Sequence, residues 1–115
     1  MERDHGFLVD ILIAARDITE FKQDVTREEF LRSKLLCSAV LHQLVIIGEA
    51  SRRLSEDFRA AHPEVAWQRV IALRNFVVHE YEEVDFEIVW GICERHVPAL
   101  IAFCEPLVGH WVEPA

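Results

Sequence analysis

The chain has 115 residues, 51% of them hydrophobic and 28% charged, a globular composition with room for one domain, residues 1–115. Four glycines and four prolines are too few for the turns of a sandwich or barrel. Twenty acids against twelve bases give a net charge of −8, which argues against a general nucleic-acid-binding surface.

No apolar run approaches the roughly 18 residues of a membrane span. The start, Met1-Glu2-Arg3-Asp4-His5, does not read as a signal peptide. Cys37, Cys93 and Cys104 form no C-x-x-C pair and fit reduced thiols packed as small apolar groups. The expectation is a soluble, cytoplasmic, all-α protein with no membrane partner.

Leu8, Ile11, Leu12, Ala15 and Ile18 recur at helical spacing and predict an amphipathic helix from about residue 6 to about 24. Thr26-Arg27-Glu28-Glu29 reads as a capping box opening a second helix. Phe30, Leu36, Val40, Leu44, Ile47 and Leu54 continue that helix over roughly 28 residues, about 42 Å. Its stretch from Leu41 to Ile47 is apolar on most sides and predicts more than one covering surface, with self-association supplying the second. His62-Pro63 breaks the pattern. Trp67, Val70, Ile71, Leu73, Phe76, Val77 and Val78 predict a third helix over about 65–79. An acidic turn follows, and Asp85 caps a fourth helix carrying Phe86, Val89, Trp90, Cys93, Val97, Leu100 and Cys104. Pro98 is expected to kink or split that helix and Pro106 to end it. Four antiparallel helices with short connections read as an up-and-down bundle.

Two local features depart from the acidic average. Between Arg52 and Arg74, five arginines (Arg52, Arg53, Arg59, Arg69, Arg74) face three acids (Glu56, Asp57, Glu64), a net +2. This is either a phosphate-binding arginine groove or a solvated helix face. The second feature is Arg74-Asn75-Phe76-Val77-Val78-His79-Glu80-Tyr81, where four chemically capable side chains interrupt an apolar helix. Asn75 and His79 stack at i, i+4, whereas Arg74 and His79 lie about 140° apart around a helix. Either the helix ends between them or a second copy of the chain completes a site. Packing alone is the plain alternative.

That segment resembles the R-x4-6-H motif of the HEPN superfamily, in the R-N-x3-H-x-Y form of its HepT-like toxins. Ile46-Ile47-Gly48-Glu49-Ala50 resembles the family's Gly-Glu segment. Trp67, Val84-Asp85 and Val89-Trp90 also fall where HepT-like chains place similar residues, so the resemblance covers nearly the whole chain. It implies a four- to five-helix HEPN bundle forming a homodimer, with the motifs of two protomers facing across a composite cleft. It further implies a metal-independent endoribonuclease that leaves 2′,3′-cyclic phosphate ends and serves as the toxin of a type VII-like toxin–antitoxin pair. Its partner would be an MntA-like nucleotidyltransferase antitoxin that adenylylates the motif tyrosine, and its substrate tRNA or mRNA.

By position, the resemblance makes Arg74 and His79 catalytic, Asn75 supporting and Tyr81 the modification site. Glu49, Arg52 and Arg53 are candidate cleft residues, Glu49 pairing with an arginine such as Arg74 or facing solvent. No cofactor or metal is implied. Such chemistry suits these residue types, since an imidazole with pKa near 6.5 relays protons at neutral pH. A guanidinium stabilises charge building on phosphorane oxygens. The four acids Glu80, Glu82, Glu83 and Asp85 are expected to face solvent or a basic antitoxin surface.

Other signals are weaker. His79-Glu80-x-x-Glu83 lacks the second histidine of a zinc motif. His42, His62, His96 and His110 read as surface or packing residues. Trp67, Trp90 and Trp111 read as core and interface anchors. With no Gly-rich phosphate loop, the chain does not read as a nucleotidyltransferase itself. A non-catalytic HEPN dimer that binds a nucleotidyltransferase or nucleotide is the rival reading, and a purely structural bundle the third.

Overall fold

Helix α1 (Glu2–Phe21) is the centre of the computed structural model, which describes residues 2–109. Five further α-helices follow: α2 (Arg27–Arg32), α3 (Lys34–Arg53), α4 (Glu56–Ala61), α5 (Trp67–His79) and α6 (Phe86–Val108). A 3-10 turn over Tyr81–Glu83 joins the last two. No strand occurs among the described residues, and the fold is all-α. His110 and Trp111 lie outside the described residues.

The predicted stripe Leu8, Ile11, Leu12, Ala15 and Ile18 is buried along the whole of α1. Asp24, at φ 60°, turns the chain in the left-handed conformation that short polar side chains tolerate best after glycine. Thr26 then forms the expected capping box: its hydroxyl accepts from the Glu29 N–H at 3.1 Å and its own N–H donates to Glu29 Oε1 at 2.9 Å.

The single long second helix is not what forms. Ser33 adopts an extended conformation, φ −99° and ψ 101°, and separates α2 from α3. Its hydroxyl accepts from the Leu36 N–H at 3.0 Å, and its own N–H donates to the Phe30 carbonyl. A serine can thus satisfy both orphaned helix ends, and an apolar periodicity that continues across the break does not reveal it. The bend seats Phe30, fully buried, against Phe86 and Trp90 of α6.

A second covering surface for α3 is supplied within the same chain. Helix α1 packs on one side of α3 and α5 on the other. By length and composition alone α3 could cross a bilayer, but here it carries Cys37, Val40, Leu41, Leu44 and Ile47 into the core between those two helices.

Helix α6 also packs on α1, with Val89, Cys93, Val97 and Cys104 inward. Neither proline divides it. It runs through Pro98 and Pro106 and stops at Gly109, where φ is 71°. Pro98 and Pro106 are exposed, as are Glu94 and Ala102 four residues before each, so the carbonyls left without a helical donor lie on the watered side.

The main helix contacts thus run α6–α1–α3–α5, and Trp67 at the start of α5 reaches back to Phe103 of α6 to close the bundle. Helix α5 fully buries only Trp67 and Val77. At about 1.5–3 kcal/mol per buried large apolar side chain, it is held far less strongly than α1. The motif rides on this outer helix.

Candidate active site

Helix α5 meets α3 at Gly48. A β-carbon on residue 48 would overlap the β-carbon of Arg74 and come within 2.9 Å of its γ-carbon and 3.2 Å of the Val70 carbonyl oxygen. The missing side chain lets the two backbones approach closely enough to lay Arg74 across α3.

The neighbouring residue fixes what Arg74 finds there. Glu49 Oε2 lies 3.3 Å from Arg74 Nη2. Glu49 Oε1 accepts from Arg52 Nη2 at 2.6 Å and from Arg53 Nε at 3.1 Å. One carboxylate is thus shared by three guanidinium groups, a local net +2 in an acidic protein. The Arg52 hydrogen bond holds the Glu49 carboxyl below its ordinary range, opposed by partial burial and helped by Arg53 and Arg74. Glu49 and Arg53 also line a groove of about 270 Å³ with Phe7, Asp10, Val45, Ile46 and Ala50.

Asn75 turns to its neighbour and not to the histidine. Arg74 Nη1 donates to Asn75 Oδ1 at 2.9 Å, leaving the Asn75 NH2 group available as a donor. Arg74 Nε is buried with no partner among the described residues.

Helix α5 runs unbroken from Arg74 to His79, so no helix end brings the two together. The guanidinium is directed at α3, while His79 stands exposed about 140° around the helix. The helix ends immediately afterwards, at Glu80 with φ −130° and ψ 43°. Tyr81 opens the 3-10 turn beyond the end of α5 and is 51% exposed. Phe76 and Val78, on either side of buried Val77, are 43% and 48% exposed. Glu80, Glu82, Glu83 and Asp85 are all exposed beside them.

The arginine-rich stretch divides in two. Arg52, Arg53 and Arg74 gather on Glu49, whereas Arg59 and Arg69 line a separate cleft at the start of α5. Sequence spacing does not separate these groups because the division depends on which way α4 turns after Leu54. The cysteines offer no nucleophile: burial pushes the Cys93 thiol up to about 11 and the Cys104 thiol up to about 12.

Comparison with known proteins places this arrangement in a family. The sequence model of the family described as Ribonuclease HepT-like matches residues 11–107. A Methanocaldococcus jannaschii protein named "Putative RNase MJ1380" is 42% identical over 95 residues, covering 83% of this chain and 87% of that protein. A Thermococcus cleftensis protein named "Probable ribonuclease HepT" is 37% identical over 101 residues, covering 87% and 92% respectively. No solved structure matches the chain. The chain belongs to the HepT-like family of the HEPN superfamily.

Proposed function

We propose that the chain is a metal-independent endoribonuclease acting in the cytoplasm as the toxin of a type VII-like toxin–antitoxin pair. The observation that carries the reading is the division of the motif. Arg74 is held on α3 by Glu49, while His79 stands exposed at the end of the same helix among Phe76, Val78 and Tyr81. One copy presents half a site and an apolar surface, which a second copy would cover while bringing its own Arg74 and His79 across the cleft. Family membership and the names of the relatives support the activity.

In this cleft the ribose 2′-OH is the nucleophile. Its oxygen bonds to phosphorus, its proton passes to an imidazole, and the P–O5′ bond breaks. A proton returned from imidazole to O5′ completes the step, leaving a 2′,3′-cyclic phosphate and a 5′-OH. Arg74 stabilises the charge on the non-bridging oxygens, and the free Asn75 amide donates to the same phosphate. An MntA-like nucleotidyltransferase would switch the site off. The Tyr81 hydroxyl attacks the α-phosphate of ATP and pyrophosphate leaves, placing a bulky anion beside His79.

The test uses the unpartnered chain, checked by intact mass for added AMP, with labelled tRNA and mRNA in EDTA. Wild type is expected to cut and leave cyclic phosphate ends, and Arg74→Ala and His79→Ala to lose at least about 100-fold in rate. Tyr81→Phe is expected to cut but to resist the antitoxin. Full activity in His79→Ala would remove the catalytic assignment. The exposed acids from Glu80 to Asp85 favour a second reading, a non-catalytic dimer that docks a basic nucleotidyltransferase surface through this turn. No cleavage by unmodified wild type would select it.

A further inference from the structure

The cleft at the start of α5 has a volume of about 570 Å³ and is lined by Glu56, Arg59, Val65, Trp67, Gln68 and Arg69, among others. Arg59 and Arg69 take part in no ion pair among the described residues, although they lie in a protein of net charge −8. Arg59 Nε is buried and has no hydrogen-bond partner there. The Arg59 side chain on the cleft wall thus has no partner of its own, and an anion that enters the cleft would supply charge-assisted hydrogen bonds to its guanidinium.

Three features of the surroundings point the same way. Helix α5 begins at this cleft without a side-chain cap at Ala66 and without an acid in its first turn, so its N-terminal amides add a positive field. Glu56 is the one carboxylate on the wall, and the two arginines outweigh it. The wall is also rigid: Trp67 is 5% exposed, donates from Nε1 to the His62 carbonyl at 2.9 Å, and packs on Phe58 and Phe103. A preformed cleft holds a ligand without first having to be ordered.

The cleft is aligned with the motif. Gln68, Ala72, Asn75 and His79 lie on one face of α5, all exposed. Gln68 and His79 differ by about 20° around the axis and by about 16 Å along it, a distance a few nucleotides of single strand span. We infer that Arg59 and Arg69 hold a backbone phosphate of the RNA strand, a few nucleotides from the scissile bond, with the strand running along the Gln68–His79 face of α5. This rests on the ribonuclease reading for its strand, but the phosphate site stands on the cleft alone.

Inorganic phosphate and a 2′-O-methylated RNA oligonucleotide, which lacks the nucleophile, are titrated into ¹⁵N-labelled protein. Both are expected to shift the Gln68 and Arg69 amides and the Trp67 indole N–H, and only the oligonucleotide to shift Asn75 and His79 as well. No shift at the start of α5 with either overturns the site. Shifts with phosphate but none with the oligonucleotide assign the cleft to a free phosphate and overturn the strand assignment. In cleavage assays the Arg59→Gln/Arg69→Gln protein is expected to raise KM about ten-fold with kcat unchanged. Its salt dependence of RNA binding should weaken by about 0.7 in log–log slope for the lost phosphate contact. An unchanged KM overturns the strand assignment and leaves the ribonuclease reading intact. Oligonucleotide binding at the cleft in a chain that cuts no RNA does the reverse.

Discussion

Gly48 and Arg74 occupy the crossing of α3 and α5 so tightly that a single added methyl group at position 48 would overlap the arginine's β-carbon. Two effects oppose one another in Gly48→Ala. Helix propensity favours alanine by about 1 kcal/mol. Overpacking costs about 1–3 kcal/mol, and the clashing atom is fixed to a helix backbone and cannot swing aside. The overlap is expected to win. Thermal melting should show a less stable protein, and cleavage should fall further than the melting shift explains, because Arg74 moves with α5. A more stable and fully active variant would disprove the close crossing.

Glu49→Gln separates anchoring from attraction. Removing the carboxylate raises the local charge from net +2 to net +3 and frees Arg74 from its 3.3 Å contact. RNA is expected to bind more tightly while kcat falls about ten-fold, since a misplaced catalytic group loses rate even where binding improves. Steady-state kinetics separates the two. A kcat equal to wild type would mean that Arg74 needs no anchor.

Asp4 supplies a pH dependence. It is 3% exposed and accepts from both the Ser55 N–H and the Ser55 hydroxyl at 2.8 Å, tying the start of α1 to the start of α4. Burial, the largest single effect, pushes its carboxyl up, but the two Ser55 hydrogen bonds and nearby positive charge including Arg3 together outweigh it, and the net effect lies below the ordinary 3.8. With the folded value below the unfolded one, the stabilisation is present above the unfolded value and is lost as pH falls through the folded one. Asp4→Asn should cost about 1–3 kcal/mol at neutral pH. The gap between the urea curves of wild type and variant should shrink well below pH 3.8. A gap of equal size at pH 7 and pH 2.5 would rule out this linkage.

Phe76 and Val78 test the second copy. Both are exposed beside His79, and neither contributes a fully buried side chain to α5. Phe76→Ser/Val78→Ser should therefore leave the melting temperature within a few degrees of wild type. Sedimentation is expected to show a monomer, and cleavage is expected to be lost with Arg74 and His79 intact. A dimeric, active variant would place the interface elsewhere.

The sequence by itself determined the all-α character and the buried stripes of α1 and α6, but neither α4 nor the exposure of Phe76 and Val78. Leu8 through Ile18 are periodic enough to be read as one buried stripe, and Thr26 and Asp85 are caps whose hydrogen bonds are local and therefore legible. The resemblance carried by Arg74, Asn75, His79 and Tyr81 pointed to the family. Tertiary structure decided what each stripe faces. It set a bend at Ser33, which apolar periodicity does not register because buried residues continue on both sides. It placed α5 on α3 as the second cover, and it carried α6 through Pro98 because water can satisfy the freed carbonyl. It also divided the arginines, drawing Arg52, Arg53 and Arg74 to one carboxylate and leaving Arg59 and Arg69 on an open cleft. Contacts between residues distant in the chain depend on how helices cross: the sequence left Glu49 to pair with Arg74 or face solvent, and the packing of Gly48 beneath Arg74 selected the pair.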